Sequence, residues 1–174
     1  MVFPLNAKKS CKIEHFQKLL SLSTELNNLM KNEFGRIILP IDGSKIAKKA
    51  GKKALVLAKT SGLEVVAIHV INTPGLPGLY GYQDAISYDE MHKFLQKNGQ
   101  FYLDEIEKMG KKMRVKVSKK LVEGHPAEEI IKEAKKNDLI VIGSKGSTAL
   151  ERIFLGSVTE NVAHHASCPV MIVR

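Results

Sequence analysis

Five strand-like runs alternate with helix-like stretches along this chain, and that alternation leaves few folds open. The runs are RIILPI (36–41), EVVAIHVI (64–71), VKVSKKLV (115–122), DLIVI (138–142) and PVMIV (169–173). Between them a helical pattern is expected over 44–60, from about 85 to 111, from Pro126 onward and within 156–166. Over 44–60, Lys45, Lys48, Lys49 and Lys52 take one face, and Ile46, Ala47, Ala50, Ala54, Leu57 and Ala58 take the other. Strands alternating with helices pair in parallel, because each connection must cross back over the sheet. The expected fold class is therefore α/β: a five-stranded, parallel, doubly wound, Rossmann-like sheet; of the strand orders open to such sheets, 3-2-1-4-5 is expected. Apolar runs such as IILPI and LIVI suit strands buried on both faces. Ligands of such sheets bind beyond the carboxyl ends of the strands, where the strand order reverses. Attention falls on Pro40, Asp42, Gly43, Ser44, Val70, Ile71, Asn72, Gly124 and the residues from Gly143 onward.

With 174 residues, the chain has room for one domain and a short extension. Residues 1–34 form that extension, and 35–174 the α/β domain. Within the extension, Phe16, Leu19, Leu20, Leu26, Leu29 and Met30 recur at helical spacing, which predicts an amphipathic helix whose stripe is covered by its own domain (the default), by a second subunit or by a partner. Cys11 and Cys168 make neither a disulfide framework nor a metal cluster and read as reduced thiols. No apolar run approaches the roughly 20 residues that span a bilayer. The N-terminus lacks the apolar core of a secretion signal. A cytoplasmic location without a membrane partner is expected. The net charge of +9 raises the question of anionic partners. The densest basic stretch, KMGKKMRVKVSKK (108–120), has no interleaved aromatic residues and so no stacking platform for single strands. It is read as a solvated rim, and no nucleic acid is expected.

The sharpest local signal is GSKGSTALERIFLGSVTENV (143–162). Gly143 closes a strand, Gly146 follows it, and Gly156 and Ser157 open a helix after nine intervening residues. Glycines permit close approach of backbone to an anion and positive φ. A helix start adds unpaired N–H groups and a positive dipole end. The amides near Gly146, Gly156, Ser157 and Val158 are therefore expected to face phosphate oxygens. Ser157 and Glu160 also fit a capping box, S-x-x-E, which by itself would account for the serine.

The spacing G-x-x-G-x9-G-[ST], present as Gly143, Gly146, Gly156 and Ser157, resembles the ATP-binding signature of the universal stress protein family. RIILPIDGS, with Pro40, Asp42 and Ser44, resembles the family's first strand and turn; HVI (69–71), EGHPAEEI (123–130) and SCPVMIVR resemble its later elements. The resemblance covers about 35–174. It implies a nucleotide-binding domain for ATP, AMP or ADP, with Mg2+ or Mn2+. It implies that Asp42 meets the ribose or a phosphate-bound ion, although a cap on the first helix would also explain that residue. It implies that Val70 offers backbone groups to adenine, that Pro40 and Ile142 flank the ring, and that Lys145 lies by the phosphates. It further implies a homodimer through the closing strand, 169–173.

Three functions stay open on this reading. The first is an ATP-binding regulator with slow or no hydrolysis. The second is an adenine-nucleotide-using enzyme, whether slow ATPase or adenylate-transferring, although PIDGS carries neither an SGGxDS loop nor an HxGH pair. The third is a nucleotide-free scaffold. No catalytic set is visible: His164 and His165 are neighbours on a helix and point apart. The Gly/Pro loop 72–84 follows the second strand on the ligand side and either covers the site or merely connects.

Overall fold

A computed structural model describes residues 21–22, 24–25, 27–72, 88–146 and 155–174. Its elements are β1 (Arg36–Pro40), α1 (Lys45–Ser61), β2 (Glu64–Ile71), α2 (Tyr88–Met113), β3 (Val117–Glu123), α3 (Pro126–Glu133), β4 (Leu139–Gly143), α4 (Ser157–His165) and β5 (Val170–Val173). The five strands form one sheet in the order β3-β2-β1-β4-β5, every neighbouring pair parallel. This is the expected fold and order. The order turns at β1, whose two neighbours, β2 and β4, lead the chain outward in opposite directions.

Alternation along the strands divides the core into two layers. Ile37, Leu39, Val65, Ala67 and Val141 face α1 and α2, whose Ala50, Ala54, Leu55, Leu103 and Ile106 meet them. Ile38, Val66, Ile68, Ile140 and Ile142 face α3 and α4, represented by Ile130 and Val162. In α1, Ser44 caps the start by accepting a bond from the Ala47 amide. Gly62 closes the helix in the left-handed region at φ 67°, returning its N–H to the Ala58 carbonyl. Gly51 and Leu55 join the buried face of this helix, although the pattern of alanines did not single them out.

The third strand starts two residues later than its sequence pattern suggests. Arg114 takes φ 59° and the Val115 amide caps α2 by bonding to the Gly110 carbonyl. Val115 is thus buried as part of a helix end, and β3 begins at Val117.

Residues 27–33 are helical and lead into the domain, with the Phe34 amide bonded to Met30 and the Gly35 amide to Asn137. Phe34 packs on the α1/α2 layer. Of the described residues of the expected stripe, Leu29 is 60% exposed and Met30 is half-buried. Phe16, Leu19, Leu20 and Leu26 lie outside the described residues, as does the loop 73–84.

Candidate functional site

The carboxyl ends of β1 and β4 open side by side, and two short turns leave them. The first, Ile41–Ser44, is held at every residue. The Ile41 amide donates to the Ile68 carbonyl at 2.9 Å. Asp42 Oδ1 accepts from the Ser44 amide at 3.0 Å, which closes a turn ahead of the helix. Ser44 Oγ accepts from the Ala47 amide at 3.0 Å. The Tyr102 ring of α2 lies on Gly43, at φ 81°, where a Cβ would come within 2.4 Å of it. The helix cap is therefore Ser44, and Asp42 shapes the turn that leads into it. Ser44 keeps its hydroxyl proton for donation to another acceptor.

The second turn, Gly143–Gly146, sits against the first. A Cβ on Gly146 would lie 3.0 Å from Asp42 Oδ2, so this carboxylate lies directly against the glycine. A Cβ on Gly143 would lie 2.9 Å from Ile46 Cγ2 and 3.2 Å from the Ala47 amide, so this glycine lets β4 close on α1. Among described glycines, positive φ occurs only at Gly43, Gly62 and Gly124. The expectation that the glycines of the 143–157 motif exploit positive φ is thus corrected: they serve close approach.

Helix α4 starts directly over this turn. Gly156 is its cap residue, in extended conformation, and no side chain caps the helix. The capping-box reading of Ser157 and Glu160 does not hold, because Ser157 already lies inside the first turn. The Gly156 amide donates to the Ser144 carbonyl at 2.9 Å and so does not point at a ligand, contrary to expectation. The bond closes the loop and fixes the helix start. Thr159, which the sequence reading passed over, adds a second tie: its Oγ1 donates to the Gly143 carbonyl at 2.7 Å, in a buried position. Its signal was only a hydroxyl one helical turn after the motif glycine. The helix ladder begins with the Glu160 amide on the Gly156 carbonyl. The amides of Ser157 and Val158 precede it and lie at the positive end of the helix dipole.

The remaining expected residues gather around the same crevice. Ile142 is buried, with Val70 and Val158 packed against the same layer. Pro40, two residues after Ile38, shares that face by alternation. Lys145 and Gly146 flank the start of α4: a Cβ on Gly156 would lie 3.4 Å from Lys145 Cα and 3.6 Å from the Gly146 amide. Residues 147–154, the interior of the motif, lie outside the described residues. No group of three or more His, Cys, Asp or Glu able to hold a metal occurs among the described residues. A divalent ion would fit here only in company with phosphate oxygens, with Asp42 as the protein carboxylate.

A cavity of about 600 Å3 lies at the other end of the sheet, lined by residues that include Lys31, Lys59, Glu64, Arg114 and Lys116. None of the motif residues reaches it. The basic stretch 108–120 is laced with ion pairs: Lys111 with Glu107, Lys116 with Glu64, Lys119 with Asp104 and Glu107, and Lys120 with Glu133. These partners lower the Asp104 and Glu107 carboxyls and raise the Lys119 ammonium, with the Lys119 hydrogen bonds leading for both acids.

Known proteins resemble this chain across most of its length. The model of the Universal stress protein family matches residues 33–174. Universal stress protein MJ0531 of Methanocaldococcus jannaschii is 39% identical over 154 residues, covering 86% of this chain and 89% of the relative. The structure of protein MJ0577 from the same organism superposes with a TM-score of 0.69 at 31% identity, covering 81% of this chain and 96% of that one. Two more distant structures share the fold. One is a universal stress protein in complex with cAMP, at 21% identity, TM-score 0.58, covering 82% of this chain and 98% of that one. The other, from Archaeoglobus fulgidus in complex with dAMP, has 19% identity and TM-score 0.57, covering 82% and 99%. With the family model spanning both strand-end turns and the helix between β4 and β5, this chain belongs to the universal stress protein family.

Proposed function

We propose that this protein is an ATP-binding regulator, a nucleotide-dependent switch or sensor with slow or no hydrolysis. One observation carries the reading: the Asp42 carboxylate lies against Gly146, beside the start of α4, whose first turn no side chain caps. A triphosphate tail suits that place, since Gly146 offers bare backbone and Ser157 and Val158 offer unladdered amides. Asp42 would meet the ribose or an Mg2+ or Mn2+ ion brought in by the phosphates, and Lys145 would screen their charge. Pro40 and Ile142 would flank the adenine, whose edge would meet the Val70 backbone. The fold's occurrence with cAMP and dAMP in other proteins supports an adenine nucleotide in particular. AMP or ADP would use the same base and ribose contacts.

The same reading includes a homodimer. β3 and β5 are the two sheet edges. β3 carries exposed Lys119 and Lys120, which guard an edge against pairing. β5 presents exposed Met171 and Ile172 instead. Residues 169–173 are therefore the contact proposed between two copies.

Calorimetric titration with ATP and Mg2+ tests the site. Gly146→Val should weaken ATP binding about tenfold or more, the equivalent of at least about 1.4 kcal/mol, because the new side chain pushes into Asp42. Its thermal midpoint should stay within a few degrees of the parent. Absence of binding by the parent protein at millimolar ATP would end this reading.

A further inference from the structure

The β1–β2 ladder stops beside one side chain. The two strands pair in register as far as Pro40 with Ile68, and the Ile41 amide adds a last bond to the Ile68 carbonyl. The next bond of a parallel ladder would run from the Val70 amide to the Ile41 carbonyl. Among the described residues that bond is not formed. The Ile41 carbonyl is taken instead by the His69 ring, whose Nδ1–H donates to it at 2.6 Å.

The ring is placed for this task by α2. A Cβ on Gly99 would come 2.5 Å from His69 Cδ2, so the helix can approach the imidazole only because residue 99 is glycine. Tyr102 meets the ring edge-on at 5.6 Å between centroids. The same Tyr102 covers Gly43, so one helix fixes both the histidine and the turn it holds.

The consequence reaches Val70. Peptide groups of successive strand residues point to opposite edges. The Ile68 carbonyl points toward β1 and the Ile71 carbonyl toward Gly124, beside β3. The Val70 amide and carbonyl therefore point toward β1, beyond its last pair, into the crevice beside Asp42.

We infer that His69 is a positioning residue: by capturing the Ile41 carbonyl it stops the ladder one bond early and keeps the Val70 peptide edge available to a nucleobase. The use of that edge by a base rests on the function proposed above; the ladder stop itself does not.

Two substitutions separate these claims. His69→Leu removes the donor, and His69→Asn keeps an N–H donor on the atom attached to Cγ. Amide exchange followed by NMR, without nucleotide, reads the ladder. In the parent the Val70 amide should exchange at least about tenfold faster than that of Ile68, which lies within the paired register. His69→Leu should slow Val70, and His69→Asn should restore the parent rate. Titration with ATP and with inorganic tripolyphosphate reads the base contact. His69→Leu should weaken ATP about tenfold, the scale of one hydrogen bond, and leave tripolyphosphate within about twofold, since that probe has no base to place. A Val70 amide as protected as Ile68 in the parent overturns the inference, even should the Leu variant fail to fold. So does equal Val70 exchange in parent and Leu variant. A parent that binds no ATP, with the exchange pattern as expected, would sink the nucleotide reading and leave the ladder stop standing.

Discussion

Single residues around the crevice do more than their sequence pattern declares. Asp42 was legible as a cap on the first helix, because a short polar side chain after a strand and before a helix has few other uses. The cap is Ser44 instead, and Asp42 holds the turn ahead of it. Replacing Ser44 with Ala should therefore cost about 1 kcal/mol in chemical denaturation, and replacing it with Gly only a few tenths. Equal costs for the two would contradict the cap. The motif glycines were legible as a group, yet their reason was not. Backbone angles depend on how the turns meet, and here the demand is for missing Cβ atoms at Gly143 and Gly146. His69 was invisible as a contributor, because its partner is a carbonyl 28 residues away whose availability depends on strand register.

At the scale of elements, periodicity located every strand, and β2 has the bounds its sequence suggests, Glu64–Ile71. Errors gathered at helix ends. There, left-handed residues such as Arg114 and backbone bonds such as Val115 to Gly110 consume positions that look strand-like in one dimension. The amino ends of the strands are tied by ion pairs. Arg36 forks onto Asp138 at 2.7 and 3.3 Å and also reaches Glu133. Its guanidinium is raised, chiefly through the Asp138 hydrogen bond. Glu64 accepts from Lys116 at 2.7 Å, and that bond is the leading cause holding its carboxyl below the ordinary range. A lowered folded value means that the contribution is complete above the unfolded value, about 4.3, and is lost as pH falls through the folded one. Lys116 is largely exposed, so the pair contributes about 0.5 kcal/mol at neutral pH. Thermal melts of the parent and Glu64→Gln should differ at pH 7 and converge toward pH 3. A gap that persists unchanged at the lower pH would show that the charge plays no part.

For the whole molecule, the parallel sheet followed from alternation, because a βαβ crossover has almost one hand; alternation leaves more than one strand order open, and 3-2-1-4-5 is set by the pairing of β1 with both β2 and β4. The placement of the extension did not follow, since an amphipathic stripe states that something must cover it and not what. Assembly belongs to this scale as well. Ile172→Lys should shift the proposed dimer to monomer in light scattering at micromolar concentration, while Lys120→Ile, on the opposite edge, should not weaken it. An Ile172→Lys protein that keeps its mass would place any contact elsewhere.

The unlike rims of the sheet carry a last consequence. If two chains join through their closing strands, both outermost strands of the merged sheet are copies of the lysine-bearing β3. Such a ribbon offers no third chain a place to add, so edge-to-edge growth terminates at a pair and cannot run on into a fibre.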